Sequence, residues 1–300
     1  MKSRRSRETA GAFFSRGSEW HCSAMATSST VLANGLQFTC LEEGSGPLVL
    51  LLHGFPDTAH TWDDVRPALA AKGFRAVSPF LRGYHPTAIP ADAKYDGDTL
   101  GRDVLGLIEA LGAESAMVVG HDWGASAAYS AAALGPERVR LLVTVAIPHP
   151  ASLLPSPRLL WGGRHFFRFQ LKSAEAMVRA RDFAYVDELV QRWSPAWRVP
   201  PAETAQVKKA FRNPGCLEAA LAYYRAAGLR PPLSQRTRIG VPCVAFSGAD
   251  DGILGLADYQ RAGKWFSKRY EIVHMPGGHF LHREHPERFI KELLRVVGGE

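Results

Sequence analysis

The stretch "AMVVGHDWGASAAYSAAAL", residues 116–134, decides the fold. Residues 116–120 form a short, continuous apolar run, the mark of a buried strand. Residues 123–134 are helical by composition and stop at Gly135-Pro136. Between them stands Gly120-His121-Asp122-Trp123-Gly124. This is a strand–turn–helix elbow with an aspartate at its tip, where serine is commoner. Flanking glycines let strand and helix approach closely while the central residue takes a strained conformation. Ala125, Ala127 and Ala128 permit tight packing behind it. The helix N-terminus supplies positive potential and free N–H groups that keep a carboxylate ionised even when partly buried. Read alone, Asp122 also fits a plain helix N-cap.

Working outward, "PLVLLLHGF" (47–55), "FRAVSPF" (74–80), "RLLVTVAIP" (140–148), "VPCVAFSG" (241–248) and "YEIVHM" (270–275) read as further strands, six with 116–120. Leu100, Val104, Leu107, Ile108 and Leu111 form a helical stripe that Asp98 is placed to cap. Phe289, Ile290, Leu293, Leu294 and Val297 form the stripe of a terminal helix. Strands alternating with helices imply an α/β fold with a mainly parallel sheet. The alternation breaks at about residues 148–235, which are rich in aromatics and helix-like segments (174–181, 183–192, 216–227). That stretch predicts an inserted helical cap, with core over 29–147 and 236–300. Ligand sites in such sheets lie at the carboxyl ends of the strands, which a cap here would roof.

Composition excludes several classes. The apolar fraction is 46% and the charged fraction 22%, with no low-complexity tract. The longest apolar runs fall far below the ~18 residues of a membrane span. The net charge of +7 is concentrated partly in residues 1–19, where five cations face two acids. The remainder is scattered, without a basic helix or recognition motif, so no nucleic-acid partner is expected. Cys22, Cys40, Cys216 and Cys243 form no CxxC pair, which fits a reducing, cytoplasmic compartment. Residues 1–28 read as a disordered basic leader, with Met25 an alternative start.

Three further motifs bear on Asp122. "HGFP" (53–56) follows a strand, where such folds place an oxyanion N–H; "SGADDG" sets Asp251 after a late strand; "PGGHF" sets His279 in a loop after the last strand. Nucleophile, acid, then histidine is the chain order of the α/β-hydrolase fold. No G-x-S-x-G occurs. Over residues 30–300 the chain resembles the α/β-hydrolase superfamily, in its branch of epoxide hydrolases and haloalkane dehalogenases. The resemblance rests on "HGFPD", "GHDWG", "GADDG" and "GGHF" as a set.

The resemblance implies that Asp122 attacks an sp³ carbon and forms an alkyl-enzyme ester. His279, oriented by Asp251, then activates water, and the backbone N–H groups of Phe55 and Trp123 hold the oxyanion. It calls for no cofactor and no metal. Epoxide hydrolases of this branch carry two cap donors, usually tyrosines, for the leaving oxygen. "LAYYRA" (221–226) puts Tyr224 in one donor position, with Tyr223 assigned to packing; in "RHFFRFQL" (164–171) His165 holds the other. Dehalogenation is the alternative, with Trp123 as one halide donor and Trp161, Trp193 or Trp197 as cap candidates. A sensor that binds without turnover is a further alternative. The aromatic cap suggests a small apolar substrate; a homo-oligomer is left open. Despite their H-x₂-H-x₂-H spacing with His279, His282 and His285 read as surface polar groups rather than metal ligands.

Overall fold

A computed structural model of the protein describes residues 26–228 and 231–299. Its sheet has eight strands: β1 (Thr27–Ala33), β2 (Leu36–Glu43), β3 (Leu48–Leu52), β4 (Arg75–Pro79), β5 (Ala116–His121), β6 (Val139–Val145), β7 (Cys243–Gly248) and β8 (Tyr270–Met275). Their spatial order is β1-β2-β4-β3-β5-β6-β7-β8. β2 pairs antiparallel with β1 and β4, and all other neighbours are parallel. All five residues of β3 are buried. Leu48, Leu50 and Leu52 join one apolar core while Val49 and Leu51 join the other, so helices cover both faces of the strand. This is the α/β-hydrolase fold.

Three sequence-based expectations are corrected here. β1 and β2 were absent from the six expected strands. They form a hairpin turned by Asn34-Gly35 at φ 45° and 73°, the dipeptide that favours two-residue hairpin turns. β1 begins at Thr27, inside the expected leader: Thr27 and Ser28 stand in register with Glu42 and Leu41. The rest of the leader, to residue 25, lies outside the described residues. The helix Gly97–Ala110 is capped by Asp96, whose carboxylate accepts the Thr99 N–H at 3.0 Å. Asp98 instead accepts a hydrogen bond from the Ser234 hydroxyl.

Between β6 and β7 the described residues include the helices Pro157–Gly162, His165–Arg168, Ala174–Trp193, Ala205–Phe211 and Cys216–Ala226, joined by loops. The expected break near residue 182 is a kink within Ala174–Trp193, where Arg181, Asp182 and Phe183 sit at φ 52°, 52° and 61°. Left-handed backbone costs an L-residue about 1–2 kcal/mol. Phe183 is nevertheless buried against Phe211 there.

The helices between β6 and β7 are tied to the sheet beside the loops that follow β7 and β8. The Trp193 carbonyl accepts N–H bonds from Gly252 and His279, each at 3.0 Å. Arg283 bridges Asp57, in the loop after β3, at 2.8 Å, to Glu203 in the stretch between β6 and β7.

Candidate active site

Asp122 follows β5 directly and precedes the helix Trp123–Leu134. Its backbone sits at φ 50°, ψ −116°, and its side chain makes no capping bond. The N-cap reading therefore fails on geometry. A Cβ on Gly124 would lie 2.3 Å from the Leu52 carbonyl oxygen, and one on Gly54 would lie 2.3 Å from the Asp122 Cβ. Close approach of β3 and the elbow thus requires glycine at both positions.

Freed from capping, the carboxylate turns toward the carboxyl edge of the sheet. Its Oδ1 accepts the Phe55 N–H at 2.9 Å, and its Oδ2 lies 3.3 Å from His279 Nε2. His279 Nδ1 lies 3.2 Å from Asp251 Oδ2, and Asp251 Oδ1 accepts N–H bonds from Ile253 (2.7 Å) and Leu254 (3.1 Å). Asp251 is buried, whereas its neighbour Asp250 is exposed. Trp123 opens its helix, so its N–H has no intrahelical carbonyl to meet.

Burial alone would raise the Asp122 pKa. The His279 hydrogen bond and charge, then His121 and the Phe55 N–H, outweigh burial and hold it below the usual carboxylate value. Burial alone would lower the His279 pKa. Asp251 and Asp122 outweigh that and raise it to about 9, so in the free protein an imidazolium stands between two carboxylates.

Above Asp122 lies an aromatic wall. The Tyr224 ring is 5.2 Å from Phe55, 5.0 Å from Trp123, 5.3 Å from His165 and 4.8 Å from Phe169. Among the described residues neither the Tyr224 hydroxyl nor the Trp123 indole N–H has a hydrogen-bond partner, and both are buried. Burial and then Asp122 push the Tyr224 pKa well above its ordinary value, partly offset by the nearby Trp123 indole. Its neighbour Tyr223 donates to the Arg82 carbonyl at 2.8 Å. The two adjacent tyrosines are thus divided, one bonded to Arg82 and one without a partner among the described residues, beside Phe55 and Trp123.

His165 is buried beside Tyr224, with its pKa lowered to about 3, chiefly by burial. Its Nδ1 lies 3.3 Å from the Gly162 carbonyl. A carbonyl only accepts, so this contact places the ring proton on Nδ1 and leaves a lone pair on Nε2.

Other features escaped the sequence reading. His282 is fully buried rather than on the surface: its Nε2 lies 2.7 Å from the Thr61 hydroxyl and its ring 4.6 Å from that of His121. Asp57, His121 and His282 bring one ligand-type atom each within 4.8 Å of one another. Asp57 is engaged by the Thr58 N–H and by Arg283, and His121 Nε2 meets the His279 carbonyl at 3.0 Å. Glu284 accepts the Gly278 N–H at 2.8 Å and pairs with Ser194, whose hydroxyl also takes the Phe280 N–H at 3.2 Å. This network clamps the His279 loop. No local sequence signal marks it, because its members are far apart in the chain.

An α/β-hydrolase-fold family model matches residues 47–286. A Bacillus subtilis protein of the AB hydrolase superfamily is 30% identical over 84% of this chain and 87% of its own. A Caballeronia sordidicola epoxide hydrolase is 42% identical over 119 residues, 39% of this chain and 36% of that protein, so this match spans about a third of the relative's length. The crystal structure of epoxide hydrolase A from Mycobacterium thermoresistibile superposes with a TM-score of 0.76 at 26% identity, covering 92% of this chain and 99% of that one. The chain belongs to the α/β-hydrolase fold family. It is a hydrolase of that type, and its similarities fall on the epoxide hydrolase branch.

Proposed function

We propose that the protein hydrolyses a small apolar epoxide to a vicinal diol through an ester on Asp122. The observation that carries this reading is the continuous set of contacts from the Phe55 N–H through Asp122 and His279 to Asp251, beneath the unbonded hydroxyl of Tyr224. Asp122 attacks an epoxide carbon in line, and the carbon–oxygen bond breaks. The alkoxide takes a proton from Tyr224. Forming the ester removes the negative charge beside His279, so its pKa falls and its proton passes through solvent to the Tyr224 phenolate, restoring the phenol. The neutral imidazole then deprotonates water, which attacks the Asp122 Cγ. The Phe55 and Trp123 N–H groups hold the oxyanion; on collapse the departing alkoxide takes the His279 proton to give the diol, and the Asp122 carboxylic acid returns a proton to His279.

Tyr224 is the principal donor. His165 shares that role only through its other tautomer, which gives up the contact to Gly162. The helices over residues 148–235 act as the cap that excludes water and shapes the apolar pocket.

The free indole N–H of Trp123 is the one feature that favours halide as leaving group. A halide site needs a second donor, and the cap tryptophans do not supply one. Trp161 is exposed, the Trp193 indole N–H points to the Gly162 carbonyl at 3.4 Å, and Trp197 packs on Phe280 and Arg283.

Incubation with styrene oxide and 1-bromobutane in parallel tests the reaction class: diol without bromide is expected, and bromide without diol would reverse the assignment. A His279→Gln variant is expected to retain the substrate's mass on the peptide containing Asp122.

A further inference from the structure

One face of the cap does not behave as an ordinary protein surface. Trp161 is 70% exposed and Phe167 66%, and Leu154, Leu160, Phe166 and Leu171 are exposed beside them in the chain. Soluble surfaces rarely gather this many large apolar side chains without a partner. The same segment is uniformly cationic. No aspartate or glutamate occurs between Glu137 and Glu175, while Arg164, Arg168 and Lys172 fall among the exposed apolar residues.

These cations are not neutralised locally. Among the described residues, none of the three forms a salt bridge with a carboxylate. Arg164 lies over the exposed Trp161 ring, its guanidinium carbon 4.3 Å from the ring centre, and donates to the Trp161 carbonyl. Burial and then the guanidiniums of Arg192 and Arg168 lower the Arg164 pKa, which places three cations within electrostatic reach of one another. A tryptophan–arginine stack with an apolar body and a charged tip suits the boundary between acyl chains and headgroups.

The patch is also continuous with the active site. His165 and Phe169, on the same short turn of helix, are buried against Tyr224. Phe166 belongs to both surfaces: it is exposed, yet its ring lies 4.9 Å from Tyr224 and 6.2 Å from Trp123.

We propose that this face of the cap, built on Leu160, Trp161, Arg164, Phe167, Arg168 and Leu171, docks reversibly on an anionic phospholipid surface, with Phe166 marking the route from that surface to Asp122. The apolar side chains enter the interface and the arginines pair with lipid phosphates. An apolar substrate dissolved in the bilayer would then reach the pocket without crossing water. Docking itself does not depend on the reaction assigned to Asp122.

Vesicle flotation with the full chain tests it. The protein is expected to float with mixed phosphatidylcholine–phosphatidylserine vesicles, less with pure phosphatidylcholine, and less again at high salt, where screening shortens the attraction. Trp161→Ser with Phe167→Ser is expected to reduce binding by at least about tenfold, from the apolar burial it removes. Arg164→Gln with Arg168→Gln is expected to abolish the preference for phosphatidylserine. Thermal unfolding of each variant confirms that the fold survives. Failure of the parent chain to float with the mixed vesicles, or equal flotation of the Trp161/Phe167 variant, overturns the proposal. A parent dimer that this variant dissociates, with no vesicle binding by either, would instead assign the face to a second copy of the chain.

Discussion

Replacing Asp122 by asparagine keeps the shape of the elbow and removes one charge, so its effect falls mainly on His279. The two groups are 3.3 Å apart in a buried site. At an effective dielectric of about 20 their attraction is about 5 kcal/mol, and loss of an opposite charge this close moves a pKa by about 1–3 units. The His279 pKa, about 9 in the parent protein, is expected to fall by about 2 units in Asp122→Asn, equivalent to about 3 kcal/mol. NMR titration of the imidazole nitrogens in both proteins measures this directly. Stability should follow the same proton. With the folded pKa raised above the ordinary 6.5, the protonated His279 contributes stability that is complete below 6.5 and is lost as pH rises through about 9. In the variant the loss still begins near 6.5, but it is smaller and ends about 2 pH units lower. In the proposed mechanism ester formation would remove the same charge, which would let one histidine be an imidazolium at rest and a base in the second step. An Asp122→Asn variant whose His279 still titrates near 9 would refute this reasoning.

Tyr224→Phe is expected to slow ester formation by about 10²–10⁴-fold, measured by single-turnover quench, while His165→Asn costs less than about tenfold because its proton faces Gly162. Gly54→Ala would place a methyl 2.3 Å from the Asp122 Cβ; loss of turnover with a retained circular dichroism spectrum is expected. Arg82 and Asp103 form a doubly bonded buried pair, also contacted by Asn34. Asp103→Ala, which leaves the buried guanidinium only the Lys94 carbonyl and the more distant Asp92 at 3.6 Å, should lower unfolding free energy by about 3 kcal/mol in urea titrations.

The legible parts of this chain were those where one local pattern carries the structure. β3 and β5 are short apolar runs because both their faces are covered, and the elbow announces itself because close approach demands glycine on both sides of Asp122. β1 was missed because it is an edge strand, mostly exposed along "TSSTVLA", so its composition reads as a polar leader. The Asn34-Gly35 turn was the available signal. Tyr224 was given the donor position and Tyr223 a packing role by resemblance alone; the structure adds a physical distinction, since the Tyr223 hydroxyl donates to the Arg82 carbonyl and that of Tyr224 has no partner among the described residues. Burial of His282 and the Trp193–Ser194–Glu284 clamp on the His279 loop come from contacts between distant segments, Ser194 and Glu284 being 90 residues apart. No window of sequence contains them.

The most direct test of the covalent route is a single turnover in H₂¹⁸O with enzyme in excess over styrene oxide. Attack by Asp122 followed by hydrolysis at its Cγ places the label in the Asp122 carboxylate and leaves the first diol formed unlabelled. Label in that diol, with none in the peptide containing Asp122, would mean that water attacks the epoxide itself and that Asp122 forms no ester.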